Sequence, residues 1–143
     1  MKSPDGRECS EFFQHHKIAL AGRRTSTLYL LNPRGRRIEK VQVDDCAITE
    51  GPRCDWLVLL NDMISHEEIY VELKGSDIHH AVEQLTTTIE KLSENSRRLG
   101  KRCFVVFTRN PLATTEVQRL KVNFMNYFRA RFLPVKDKAQ VLL

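Results

Sequence analysis

Long hydrophobic runs are missing from this chain of 143 residues, in which no apolar stretch approaches the roughly 20 residues that span a bilayer. The first residues, MKSPDGRECSEFF, do not contain the apolar segment of a secretory signal. Internal repeats, low-complexity segments and linker-like stretches are also absent from the sequence. We therefore expect a single domain, residues 1–143, that is cytoplasmic and has no membrane partner.

Cysteine pairs of the C-x-x-C type are missing as well. The four cysteines are far apart and match no strong zinc-ligand spacing, either alone or together with the histidines. Two of them, Cys54 and Cys103, lie within or beside apolar runs that are typical of buried strands. We expect reduced, packed thiols at all four positions, which are Cys9, Cys46, Cys54 and Cys103.

The composition is that of an ordinary globular protein, with 41% hydrophobic and 29% charged residues, and excludes a disordered or fibrous chain. The net charge of +5 is unevenly distributed. Residues 1–75 carry 11 Lys and Arg against 12 Asp and Glu, whereas residues 76–143 carry 12 against 6. A phosphate backbone is the obvious partner if the basic clusters NPRGRR, RRLGKR and RARF converge, but charge alone does not decide this.

The first half of the chain predicts one helix followed by strands. We expect an N-terminal helix through RECSEFFQHHKIAL, residues 7–20, with Phe12, Phe13 and Ile18 facing inward. Two strands are expected around the turn residues 32–35, because apolar residues flank them on both sides. The nearly continuous apolar runs CDWLVLL and IYVEL then predict two strands at the centre of a sheet.

The second half predicts two helices and further strands. A helix over about 77–99 is expected, with Ser76 or Asp77 as its N-cap and Gly100 at its end. Apolar residues recur along it in steps of three and four, at Ile78, Val82, Leu85, Ile89, Leu92 and Leu99. RCFVVFTRN predicts a buried strand, TTEVQRLKVNFMNYFRARF a helix, and FLPVKDKAQVLL a short edge strand. The order describes an α/β sandwich with a mixed sheet flanked by helices.

A pair of acidic residues faces each other in the predicted hairpin. If the loop between CDWLVLL and EIYVELK is centred between Met63 and Ile64, Leu57 lies opposite Tyr70 and Asp55 opposite Glu72. Directly opposed residues project from the same face of a sheet. Opposed carboxylates repel each other unless a cation lies between them.

Magnesium is the cation that such a site predicts, because Mg²⁺ takes carboxylates, waters and phosphate oxygens as ligands. The backbone carbonyl of Leu73 can add a further ligand beside Asp55 and Glu72. Lys74 lies on the same face as Glu72 by alternation, where it can orient an attacking water and stabilise negative charge on a phosphate. The competing interpretation is a surface ion pair between Glu72 and Lys74, worth roughly 0–1 kcal/mol.

Asp55, the segment VELKG at residues 71–75 and the following helix with AVEQL resemble the PD-(D/E)xK nuclease superfamily, which has the restriction-endonuclease-like fold and includes Holliday junction resolvases. The similarity covers about half of the chain, from Val41 to Phe107. It implies an αβββαβ core, with three antiparallel strands and a fourth strand parallel to a central one. It also implies that Asp55 and Glu72 bind the metal, that Lys74 is catalytic and that Gln84 supports the site.

Two departures from the pattern of this superfamily stand out. Cys54 replaces the proline of the motif, and Thr88 stands where exonuclease-type members have a tyrosine. The acidic residue often found on the first helix has two candidates, Glu8 and Glu11, and each is more simply explained as a solvated residue. The number of metal ions, one or two, stays open.

Other polar residues have simpler explanations. Asp44 and Asp45 are typical turn formers, and Asp45 is kept as a reserve ligand. Trp56, on the face opposite Asp55, is expected to pack in the core against a helix. Arg109, after the last core strand, is the best single candidate for a phosphate contact. The histidines that open the helix, at 79 and 80, are expected to face water.

The resemblance implies a Mg²⁺-dependent nuclease, with Mn²⁺ as a substitute, that hydrolyses DNA phosphodiester bonds; endonuclease action is favoured, and exonuclease action is left open. The chain is near the size of the core alone, so sequence specificity is expected from a homodimer or from partner subunits. A catalytically silent module of the same fold, which binds nucleic acid or docks on proteins, is the alternative, and an α/β interaction domain without nucleic acid is a third possibility. The form of DNA, or RNA, is left open.

Overall fold

A computed structural model of the chain describes residues 1–22, 26–73, 77–97, 100–109 and 113–143. Its elements form three layers: two helices, a six-stranded sheet and a three-stranded sheet. In chain order they are β1 Ser10–Phe13, β2 Lys17–Ala21, β3 Thr27–Leu31, β4 Ile38–Gln42, β5 Trp56–Asn61, β6 His66–Leu73, α1 Ile78–Leu92, β7 Lys101–Phe107, α2 Thr114–Phe128, β8 Ala130–Lys136 and β9 Gln140–Leu142. The expected mixed α/β architecture is therefore confirmed.

The large sheet has the strand order β1-β4-β5-β6-β7-β8. Its first four strands pair antiparallel, whereas β7 is parallel to β6 and β8 is parallel to β7. The two parallel pairs need crossover connections, which α1 and α2 provide. The carboxyl ends of β6, β7 and β8 consequently meet at one edge of the sheet, where β6 ends at Leu73 opposite Val106.

The expected helix over residues 7–20 is wrong, because this segment forms β1 and β2. In β2 the buried residues Ile18 and Leu20 alternate with exposed neighbours, which is the period of a strand packed on one face. Phe12, expected to face inward, is 53% exposed on β1. The candidates Glu8 and Glu11 are therefore not placed on a first helix, and Glu8 instead forms ion pairs with the N-terminal amine and Lys2.

The two strands expected around residues 32–35 exist, but they belong to different sheets. β3 pairs with β2 and β9 in the small sheet, whereas β4 joins the large one. The buried amide of Asn32 binds the carbonyls of His15 and Arg36, so the turn residues link two sheets. The FLPVKDKAQVLL segment likewise contributes to both sheets, through β8 and β9.

Two clusters of buried apolar residues lie on opposite faces of the large sheet. One cluster contains Leu57 and Tyr70 and packs against α1 and α2, whose buried members include Leu85, Ile89 and Phe124. The other packs the large sheet against the small one through residues such as Leu20, Leu28, Leu30, Val58, Val71 and Phe104. Because both faces are covered, β6 and β7 read as nearly continuous apolar runs.

Helix α1 begins where the sequence predicts and ends earlier. The Asp77 carboxylate accepts hydrogen bonds from the amides of His79 and His80, so Asp77 is the N-cap, and Ser76 lies outside the described residues. The expected end at Gly100 is wrong, because Ser93 is the C-cap. The Ser93 hydroxyl and the Glu94 amide donate to the buried carboxylate of Glu68, which turns the chain away after Leu92. No described helix is long and apolar enough to cross a membrane.

The expectation of four reduced thiols is wrong for two of them. Cys9 and Cys46 form a disulfide, although 37 positions separate them in the sequence. The pairing of β1 with β4 brings the turn after β4 back beside Cys9, whose carbonyl accepts from the Gln42 amide. Cys54 and Cys103 are buried free thiols, as expected, and burial raises the pKa of both.

Candidate functional site

Asp55 lies at the end of the β5–β6 hairpin, immediately before β5. The expected register is confirmed, since Leu57 pairs with Tyr70 and Trp56 with Val71. The ladder extends one step further, because the Asp55 amide donates to the Val71 carbonyl at 3.0 Å. The Asp55 carbonyl in turn accepts from the Val43 amide at 3.1 Å. These backbone bonds fix Asp55 opposite the last residues of β6.

The carboxyl group of Asp55 lies against that of Glu72 and acts on its ionisation. Glu72 is only 7% exposed, near the end of β6. Burial, followed by the negative charge of Asp55, raises the pKa of Glu72 to about 10. The structure therefore brings together the two acids that the hairpin register pairs.

Asp55 is held on its other side by the backbone of β6. Its Oδ2 atom accepts a hydrogen bond of 2.7 Å from the Leu73 amide. Burial favours the neutral form of Glu72, which lies beside Asp55. The Leu73 amide thus positions the Asp55 carboxylate next to the buried side chain of Glu72.

The acid pair fits a hard divalent cation, because a cation between two carboxylates removes their mutual repulsion. Mg²⁺ is usually bound by one or two carboxylates, with waters and substrate oxygens as the remaining ligands. Among the described residues, no group of three or more His, Cys, Asp and Glu is arranged to hold a metal. Lys74, the expected catalytic lysine, lies outside the described residues.

Gln84 lies on α1 and lines a cleft together with Asp55. Within the described part of the chain, its Oε1 atom is the buried side-chain oxygen or nitrogen without a hydrogen-bond partner. This cleft, the helix-side cleft, has a volume of about 370 Å³, and its walls include Asp44, Arg53, Asp55, His80, Glu83 and Gln84. An unsatisfied buried acceptor costs stability unless a water or a ligand donates to it. The structure therefore places Gln84 beside the acid pair with an unused acceptor.

Thr88 connects α1 to the strand that carries Asp55. Its hydroxyl donates to the Gln84 carbonyl at 2.7 Å and accepts from the Cys54 amide at 2.9 Å. The residue is fully buried, and Cys54 directly precedes Asp55. In the sequence, Thr88 stands out only as a departure from the tyrosine of exonuclease-type members. The hydroxyl of Thr88 was a possible sign of a hydrogen bond to another element, but its partner Cys54 is distant in the sequence.

Asp44 is closer to the acid pair than the reserve ligand Asp45. Its charge contributes to the raised pKa of Glu72, after burial and the effect of Asp55. Arg53 binds both aspartates, with a distance of 2.7 Å from its Nε to Asp44 Oδ1 and from its second terminal nitrogen to Asp45 Oδ1. Asp45 is exposed and has a positive φ of 61°. The turn after β4 therefore directs Asp44, not Asp45, toward the site.

The two histidines at the start of α1 have different surroundings. The His79 side chain is 81% exposed, as expected for a residue that faces water, and its Nε2 atom lies 3.4 Å from Glu116 Oε1. His80 is exposed, as expected, and lines the helix-side cleft. Of the two, His80 is thus the residue with access to a ligand of this cleft.

Trp56 packs against the small sheet, so the expectation that it packs against a helix is wrong. It borders the buried cluster between the two sheets, and its Nε1 donates to the Ala21 carbonyl at 2.9 Å. It also lines a second cleft of about 260 Å³ with Ala21, Gly22, Gln42, Asp44 and Asp55. We call this the indole cleft, and it meets the helix-side cleft at Asp44 and Asp55.

The fold and the site define a mixed α/β protein with a carboxyl pair, one member of which is buried, at one end of its central hairpin. Comparisons of the chain with protein-family models, with curated proteins and with solved structures find no match. The residues of the site itself therefore carry the evidence for its chemistry.

Proposed function

We propose that this protein is a metal-dependent nuclease that hydrolyses DNA phosphodiester bonds, with a restriction-endonuclease-like core. The observation that carries the proposal is the contact between the Asp55 and Glu72 carboxyl groups, one of them buried, at the end of the β5–β6 hairpin. Such a pair is unfavourable for folding, and a function that needs two acids at one point gives a reason for it.

The arrangement of strands supports the proposed core. β4, β5 and β6 form an antiparallel meander, α1 follows, and β7 returns parallel to β6. This is the βββαβ part of the αβββαβ order that the resemblance implies. The N-terminal strands β1 and β2 depart from it, because a helix is expected there.

Asp55 and Glu72 would hold the cation, with the Leu73 carbonyl as the proposed backbone ligand. When bound, Mg²⁺ or Mn²⁺ would polarise a phosphoryl oxygen and neutralise charge that develops on it. The Leu73 amide keeps the Asp55 carboxylate in place for this task. In the proposal, Lys74 orients the attacking water and Gln84 offers its free acceptor to a water in the helix-side cleft.

The test is a cleavage screen over plasmid, linear duplex, branched and single-stranded DNA, with Mg²⁺ or Mn²⁺ and with a chelator. The Glu72→Gln and Lys74→Ala variants should each lose at least about 100-fold in metal-dependent cleavage, because the first replaces a proposed carboxylate ligand by an amide and the second removes the proposed catalytic ammonium group. Glu90→Gln, an exposed residue on α1, is the matched control and should cleave like the wild type.

Two results would remove the proposal. The first is metal-dependent cleavage that survives in Glu72→Gln, because the acid pair would then not hold the metal. The second is wild-type protein that binds DNA at low salt but cleaves none of the forms with either metal. That result would favour the catalytically silent nucleic-acid-binding module.

A further inference from the structure

The indole cleft is a second recess at the acid pair, on the side of the sheet that faces away from α1. Its floor and walls come from the ends of β2, β4 and β5, through Ala21, Gln42 and Trp56. Asp44 and Asp55 line it as well as the helix-side cleft. A group bound in the indole cleft would therefore lie next to Asp55, one member of the acid pair.

The indole of Trp56 is fixed in this cleft rather than free to rotate. Its Nε1 donates a hydrogen bond to the Ala21 carbonyl, and the Lys40 ammonium lies 4.3 Å from the centroid of the ring. Lys40 is itself held by the Ala19 carbonyl at 3.2 Å. Because a cation is attracted to the face of an aromatic ring, Lys40 keeps the indole in one orientation. The aromatic wall of the cleft is thus already formed without a ligand.

The other walls of the indole cleft are formed by a polar side chain and by tightly packed backbone. The exposed Gln42 side chain donates to the Asp44 carbonyl at 3.0 Å, which holds its amide at the cleft. At Gly22 an added Cβ would lie 3.2 Å from Leu73 Cδ1, so a larger residue would crowd this wall. The cleft therefore combines one aromatic surface, one amide and backbone groups, next to carboxylates.

We propose that the indole cleft receives one unstacked nucleobase of the DNA strand whose phosphate lies at Asp55 and Glu72. This inference rests on the proposed nuclease function and specifies its substrate class. Nucleobases pack on aromatic side chains and bind amides through their edges, whereas carboxylates repel a second phosphate. A volume of about 260 Å³ is below that of pockets for drug-sized ligands and suits a single base.

The consequence is a preference for DNA with unpaired nucleotides at the cleavage position. A base inside a duplex is stacked and paired, and bringing it into a cleft costs a few kcal/mol. Single strands, frayed ends and branch points avoid this cost. The preferred substrate is therefore single-stranded or branched DNA rather than an intact duplex.

Trp56 is the single tryptophan of the chain, so its fluorescence reports on the indole cleft alone. We would titrate full-length Glu72→Gln protein, without metal, with a 12-nucleotide oligothymidine and with a duplex of the same length. The single strand should quench the emission in a saturable way, and the duplex should quench it much less. Equal quenching by the single strand and the duplex would overturn the inference. So would the absence of quenching by a single strand whose binding is shown by fluorescence anisotropy.

The second arm measures the ratio of single-strand to duplex cleavage. Trp56→Ala should weaken oligothymidine binding about 5- to 150-fold, the range for loss of one stacked base, and should lower this ratio. Trp56→Phe keeps an aromatic ring and should restore most of the affinity, which separates stacking from simple damage to the fold. Thermal melting checks that both variants are folded.

The outcomes for the two proposals can be told apart. If Glu72→Gln abolishes cleavage while Trp56→Ala keeps the wild-type ratio and affinity, only the nucleobase inference is wrong. If Glu72→Gln cleaves normally, the acid pair is not the site of cleavage. Selective quenching of Trp56 by the single strand would in that case still support a nucleobase in the cleft.

Discussion

At the scale of single residues, Asp55 has both a structural and a chemical role. Its carboxylate accepts the Leu73 amide and contacts the Glu72 carboxyl group. The first interaction satisfies a backbone donor at the end of β6, and the second provides the paired acids of the proposed site. Substitutions at Asp55 should therefore separate the two roles according to whether the new side chain still accepts a hydrogen bond.

We expect Asp55→Ala to lower the free energy of unfolding by about 1–3 kcal/mol, because the Leu73 amide loses its partner in a part-buried position. Asp55→Asn keeps an acceptor oxygen and should lose less stability. Both variants should be inactive in metal-dependent cleavage if the proposed function holds. Urea unfolding combined with the cleavage assay measures the two effects, and equal stability of the Ala and Asn variants would contradict this account.

The pairing of Asp55 with Glu72 could be predicted because the position of the hairpin loop fixes which residues are opposed. Asp44, Thr88 and Trp56 could not be placed in the same way. The direction of Asp44 depends on a turn in which Asp45 adopts a positive φ, and the partner of Thr88 lies 34 positions away. The neighbour of Trp56 was misjudged because the small sheet was not expected.

At the scale of elements, short apolar segments outside the central strands were the hardest to predict. Residues 7–20 have apolar spacings compatible with a helix, yet they form β1 on the edge of the large sheet and β2 in the small one. Their strand conformation depends on partners far along the chain, which local propensity does not contain. The central strands and α1 were predictable because their long apolar patterns have one clear period.

The tip of the β5–β6 hairpin is fixed by an ion pair with the turn before β4. The Asp62 carboxylate binds Arg36 at 2.7 and 2.8 Å and also accepts the amides of Ile64 and Ser65. The hydrogen bond from Arg36 holds the pKa of Asp62 well below its ordinary value. A carboxylate whose pKa is lowered by folding stabilises the protein above its unfolded pKa, and this contribution is lost as the pH falls.

We therefore expect Asp62→Asn to lower the melting temperature at pH 7, where the wild-type carboxylate is charged in both states. The difference between the two proteins should shrink as the pH falls below about 4, the unfolded pKa of an aspartate. Melting curves from pH 7 to pH 2 measure this, with exposed Glu90→Gln as the control. A difference that is constant over this range would show that the ion pair is not the cause.

At the scale of the whole molecule, the disulfide Cys9–Cys46 ties the N-terminal strand to the turn that carries Asp44. Disulfides are typical of oxidising compartments and rare in the cytosol. The disulfide therefore does not favour the expected cytoplasmic location, which stays a prediction.

Loss of this disulfide should lower the free energy of unfolding by about 4 kcal/mol, the chain-entropy value for a separation of 37 residues. The Cys9→Ser, Cys46→Ser double variant and wild-type protein with a dithiol reductant should show the same reduced stability. Urea unfolding with and without reductant measures both. Wild-type stability that does not respond to reductant would contradict the prediction, provided that thiol titration shows the bond to be reduced.

The parallel arrangement of β6, β7 and β8 brings two cationic residues to the end of the large sheet that carries the acid pair. Arg109 follows the carboxyl end of β7, two residues beyond Phe107, and Phe107 pairs with Lys136 at the end of β8. Leu73, next to Glu72, ends β6 at the same edge. Arg97 precedes β7 and therefore lies at the opposite edge. These two exposed arginines form a matched pair for locating the DNA-binding face.

If DNA lies along the edge that carries the acid pair, Arg109→Ala should weaken DNA binding about 3- to 10-fold, or about 0.7–1.4 kcal/mol. It should also reduce the slope of log affinity against log salt by about 1, because one phosphate contact is lost. Arg97→Ala should change neither quantity. Fluorescence anisotropy in the Glu72→Gln background, without metal and from 50 to 200 mM salt, measures both. A larger effect of Arg97→Ala than of Arg109→Ala would place the DNA at the opposite edge, away from Asp55 and Glu72, and would contradict the proposed site.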